Sequence, residues 1–110
     1  MAYSEALAQR MRPVLHSVPG VTEKKMFGGI AWMLNGNMAC GIIGDQMMVR
    51  VGPNQHDAAL ALPHVGVMSM GGRPPSRGIV MVGDGALGDE AEVEAWIRRG
   101  LDFAASLPPK

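Results

Sequence analysis

A chain of 110 residues that is 47% apolar and 18% charged can bury one hydrophobic core, and it holds too few charges for a disordered acidic or basic tail. Ten Lys and Arg balance ten Asp and Glu, so no whole-molecule field draws in a nucleic-acid backbone or an anionic membrane. The lone cysteine, Cys40, excludes an internal disulfide.

The thiol fits a reducing compartment. The start Met1-Ala2-Tyr3-Ser4-Glu5 has neither a basic nor an apolar leader region, and no stretch reaches transmembrane length. The expectation is one domain over residues 1–110, cytoplasmic, with no membrane and no direct nucleic-acid contact. The neutral total hides a mild polarity: residues 1–77 carry seven basic and four acidic groups, residues 78–110 three and six.

Ser4 caps a predicted first helix whose Leu7, Met11, Val14, Leu15 and Val18 share one face at the helical period. Pro13 removes a backbone donor, so the helix should kink there or stop near Arg12. Pro19-Gly20 ends the segment.

From Glu23 the pattern turns strand-like. Asn35 and Gly36 both tolerate positive φ, as a type I′ turn needs, so Lys25 to Leu34 should fold back on Asn37 to Ile43. Gly44-Asp45 suits a second tight turn leading into Gln46 to Val51. These three strands make a meander. Gly28 and Gly29 then fall inside the first strand, where glycine marks a bulge, a bend or a close backbone approach, and a ligand or partner backbone lying across them is the sharper reading.

After Gly52-Pro53-Asn54, a short helix runs to Leu62 and stops at Pro63. Val65 to Met70 and Gly78 to Val82 flank a Gly- and Pro-rich loop, residues 71–77, as a further hairpin. Asp89 and Glu92 have capping-box spacing ahead of Val93, Trp96, Ile97, Leu101 and Ala104, the apolar face of a last helix ending near Leu107. The predicted class is α+β, in the order α-β-β-β-α-β-β-α, with helices packed on an antiparallel sheet.

No catalytic set emerges. His16, His56, His64 and Cys40 lie on different predicted elements without the spacing of a zinc site, and no cofactor is expected. The Gly-rich stretches lack the Lys-Ser or Lys-Thr of a phosphate loop. Asp84, Asp89, Glu90, Glu92 and Glu94 fail the calcium-loop pattern and suit a helix start. Arg73 and Arg77 could grip an acidic partner or an anion, although exposed arginines are the norm.

Ten methionines point to adaptable packing. Met47 and Met48, adjacent in one strand, must face opposite ways, so one sheet face would meet helices while the other forms core or contact surface.

The string Lys24-Lys25-Met26-Phe27-Gly28-Gly29, then Trp32, Asn35-Gly36-Asn37-Met38, and later Gly72-Arg73-Pro74 before Gly78-Ile79-Val80-Met81-Val82 resembles the N-terminal domain of the TfoX/Sxy proteins. The resemblance spans residues 5 to 106. It implies an α-β(3)-α-β(2)-α fold similar to secretion-chaperone-like domains. It also implies a link to bacterial transcriptional regulation, since the named members activate competence genes. Those regulators carry a second, helical domain; here a stand-alone version is expected, and the family supplies no catalytic residues.

Two functions follow as expectations. The first is a non-catalytic regulatory or adaptor module that binds proteins, its own copies included as a homodimer, through an apolar sheet face or edge. Its candidate contacts are Met26, Phe27, Gly28, Gly29, Trp32, Arg50, Arg73 and Arg77, with Met26, Ile30 and Trp32 on one face. The alternative is an anionic-ligand binder or an unrecognised enzyme, with a pocket between the sheet and the last helix that uses Trp32, Arg50 or Arg73.

Overall fold

A computed structural model describes residues 3–26, 28–68 and 78–109. Helix α1 spans Glu5–Leu15, and the Ser4 hydroxyl accepts from the Leu7 amide at 3.1 Å, as the sequence predicts. Pro13 lies inside this helix without ending it. Pro13 and Gln9, four residues earlier, are both exposed, so the carbonyl left without a donor lies on the solvent side.

Next comes a meander of four strands rather than three: β1 (Val21–Met26), β2 (Gly29–Leu34), β3 (Asn37–Ile43) and β4 (Gln46–Arg50). The predicted strand from Lys25 to Leu34 is interrupted, because Met26 pairs with Gly29 in antiparallel register and the chain reverses between them. Gly28 takes a φ of +72°, and Gly29 must be glycine because a side chain there would collide with the Ile42 carbonyl. The glycine pair therefore makes a hairpin turn and a close approach to β3. The Asn35-Gly36 turn forms as predicted, with φ of 52° and 86°, and Gly44 has φ 62° in the turn before β4.

A 3₁₀ turn (Pro53–Gln55) leads into α2 (His56–Leu60), followed by β5 (Val65–Val67), β6 (Ile79–Val82), a second 3₁₀ turn (Asp84–Ala86) and α3 (Glu90–Ala105). The Asp89 carboxylate caps α3 by accepting from the Glu92 amide at 2.8 Å. After α3 the chain is held by Asn37, whose buried amide donates to the Pro108 carbonyl at 2.9 Å.

The six strands among the described residues form one antiparallel sheet in the order β1-β2-β3-β4-β6-β5. The class is α+β, with one strand more than the order read from sequence. Alternation splits the sheet residues into two sets. Ile30, Trp32, Leu34, Cys40, Ile42, Met47, Val49, Val80 and Val82 join the main core with Leu7, Met11 and Leu15 of α1 and Val93, Trp96, Ile97 and Leu101 of α3. A smaller cluster occupies the opposite face.

A β-bulge decides which methionines belong to that smaller cluster. Trp32 pairs with Cys40 but Met33 pairs with Met38, so Ala39 is an extra residue in β3. Ala39 and Cys40 both join the helix-side core, and Met38 is returned to the other face beside Met33.

Candidate functional site on the methionine face

The second face is a floor of Ala31, Met48 and Met68, all buried, flanked by half-buried Met33, Met38, Ile43, Ile79 and Met81. No helix residue belongs to this cluster among the described residues. The register builds it in cross-strand rows. Ala31, Gly41, Met48, Met81 and Gly66 stand opposite one another on successive strands from β2 to β5. Beside them, Met33 pairs with Met38.

Small residues in the first row leave a dip, which Met48 fills. A side chain at Gly41 would meet Met48 Cε at 2.8 Å, so the thioether lies flat across the glycine. Met47 points the other way into the main core, as alternation requires.

The charges are strongly segregated. Glu5 lies on α1, Asp57 on α2, Asp84 in the second 3₁₀ turn, and Asp89, Glu90, Glu92, Glu94 and Asp102 on or beside α3. Glu23 pairs with Trp32 in the β1/β2 register and so stands on the helix side. Asp45 borders a depression with Ser4, Leu7 and Arg10 of the α1 segment. These are the ten Asp and Glu side chains of the chain, and none occupies a position on the methionine face. Lys24, exposed and opposite Ala31, stands at one rim of the face.

On the helix side, Arg10, Arg12 and Arg98 are paired with acids, while Arg99 lies over the Trp96 ring at 4.7 Å from its centroid and Lys25, opposite Ile30, is exposed. Arg10 Nε donates to Glu90 Oε1 at 2.7 Å, Arg98 reaches Glu94 at 3.1 Å, and Arg12 bridges Glu5 at 2.6 Å and Glu23 at 3.1 Å. The hydrogen bond from Arg12 is the largest influence holding the Glu23 carboxyl below its usual range, aided by Arg12's charge, Trp32 and His16 against the opposing effect of burial.

The sequence-named candidates fall in different places. Gly28 lies in the β1–β2 turn, Gly29 opens β2, and Met26 takes the register position opposite Gly29. This turn breaks the single strand on which Met26, Ile30 and Trp32 are expected to share a face, and the Met26 side chain lies outside what the structure describes. Trp32 is fully buried, and its ring nitrogen donates to Glu23 Oε1 at 3.1 Å, which commits it to the core rather than to a pocket or partner. Arg50 follows Met48 on β4, but its guanidinium stacks 5.2 Å from the Phe103 ring centroid at the end of the sheet. Phe27, Arg73 and Arg77, with the 71–77 loop, lie outside the described residues.

Cys40 is buried, and desolvation pushes its thiol up to about 12, so it is an inert core group. His56 is also buried, with neither ring nitrogen hydrogen-bonded among the described residues. Among the described residues, no three His, Cys, Asp or Glu side chains come together as a metal site. A depression of about 340 Å³ lies on the helix side between Leu62, His64, Ala86, Glu92 and Trp96. It uses none of the residues proposed from sequence for a ligand pocket. No helix is long and apolar enough to cross a membrane among the described residues.

An antiparallel sheet with helices on one face and an apolar second face makes this an α+β domain. The chain belongs to the TfoX N-terminal domain family, whose family model matches residues 14–104. This is not a known enzyme family. No curated protein and no solved structure matches the chain.

Proposed function

We propose that this chain is a non-catalytic regulatory or adaptor module, acting in the cytoplasm through protein–protein contacts on its methionine face. The observation that carries the reading is the two-sided sheet: helices supply the main core on one side, while the other side is apolar and receives no helix residue among the described residues. An apolar face rich in adaptable methionine suits a contact surface. A bacterial transcriptional setting, competence control included, is part of this proposal and rests on the resemblance to the TfoX/Sxy regulators.

The alternative of an anionic-ligand protein has less support, because Trp32 is closed into the core and Arg50 is held on Phe103. Light scattering over a dilution series, with quantitative capture from lysate, tests the leading reading. The expected result is a concentration-dependent mass or a stoichiometric captured protein, lost when Met33 and Met81 are both changed to Gln. A monomer at every dilution, with the same capture profile for both proteins, contradicts it.

A further inference from the structure

Resting on that reading, we infer that the occupant of the methionine face is an acidic amphipathic helix of another protein, selected by the absence of every Asp and Glu side chain from this side of the sheet. The ten acids of a neutral chain all lie on the helix side or at its margins, where Arg10, Arg12 and Arg98 are already paired with acids. Among the described residues, the methionine face is thus left with an apolar floor and the exposed ammonium of Lys24 at its rim. A carboxylate-bearing partner meets no repulsion there, whereas a basic one meets Lys24 without any local anion to offset it.

The shape fits the same occupant. Apolar positions run across β2, β3, β4, β6 and β5, which at about 4.8 Å per strand gives a width of roughly 20 Å, enough for a helix about 10–12 Å across. The opposite face of the same sheet already receives such a helix. α3 packs on β2, β3 and β4 through Val93, Ile97 and Leu101 while carrying Glu90, Glu94 and Asp102 outward, all exposed. A second copy is disfavoured as occupant, because a two-fold contact would bring two Lys24 side chains to one interface with no acid to pair them.

The test uses two fluorescein-labelled synthetic helices with the same Leu/Ala apolar stripe, one with Glu and one with Lys on the polar face, titrated against the whole chain by anisotropy. The acidic helix is expected to bind at least about tenfold more tightly at low salt, with the preference shrinking as screening increases. Lys24→Glu should reduce that preference, and Met33→Gln with Met81→Gln should weaken the acidic helix at least about tenfold.

Equal binding of both helices overturns the charge selection and leaves the protein-contact reading standing. Binding indifferent to the Met33/Met81 change places the helix elsewhere and overturns the inference. Self-association abolished by those changes, or co-sedimentation with phosphatidylserine vesicles in place of helix binding, makes the occupant a second copy or a membrane and likewise overturns it. No helix bound and a monomer at every dilution sinks both this inference and the reading beneath it.

Discussion

Gly100 of α3 lies directly against the backbone carbonyl of Ala39, the extra residue of the β3 bulge, with no room between them for a side chain. The contact joins the helix to the same bulge that returns Met38 to the opposite face. Packing on one side of the sheet and the composition of the other are therefore set at one point.

Gly100→Ala should cost about 1–3 kcal/mol, since the added methyl must push α3 off the sheet against its buried residues. Gly66→Ala is the control, because a methyl there meets nothing within 4 Å. Urea unfolding of the two variants checks the difference. Equal stability would show that α3 shifts freely over the bulge.

The β1–β2 turn gives a second ranking. Gly28→Ala meets open space and carries only the strain of a φ of +72°, about 1–2 kcal/mol. Gly29→Ala collides with the Ile42 carbonyl and should destabilise more, by opening the β2–β3 ladder. Thermal melts of both variants give the order directly.

Glu23 joins α1, β1 and Trp32, and its carboxyl is held below the ordinary value of 4.5. A depressed folded pKa stabilises fully above the unfolded value, and the contribution is lost as pH falls through the lower folded value. Glu23→Gln keeps an oxygen for Trp32 but removes the charge. Its stability should fall less steeply than the wild type's on acidification below about pH 4.5, as read from melts between about pH 3 and pH 7. Glu23→Leu also orphans the buried indole N–H, and should cost about 1–3 kcal/mol at neutral pH.

Cys40, fully buried with its thiol raised to about 12, should resist alkylation at pH 8 in the folded chain and react promptly in urea. Iodoacetamide labelling followed by mass spectrometry reads both rates. Rapid labelling of the folded protein would mean that the β3 core opens often.

Local chemistry made much of this fold legible in the sequence. Ser4 and Asp89 announced the starts of α1 and α3, and the Asn35-Gly36 turn required positive φ at both residues. The opposed orientation of Met47 and Met48 followed from strand period alone. The β1–β2 turn was missed because Gly28-Gly29 was read within one strand of ten residues, although typical strands of about 5–6 residues favoured a break there.

The site was less legible. Trp32 looked available as an aromatic contact, but Glu23 accepts its N–H and so allows full burial. The placement of Met38 depends on a bulge at Ala39 that no residue pattern marks. Segregation of the carboxylates follows only from register and helix placement, because along the chain the acids are spread from Glu5 to Asp102.

Methionine-methyl NMR tests the central claim most directly, on the wild-type chain in complex with whichever protein it retains or across a dilution series if it retains its own copies. The expected result is that the methyls of Met33, Met38 and Met81 shift while those of Met11 and Met47, inside the helix-side core, hold their positions. Association with the three face methyls unmoved would contradict the claim and place the contact elsewhere on the molecule.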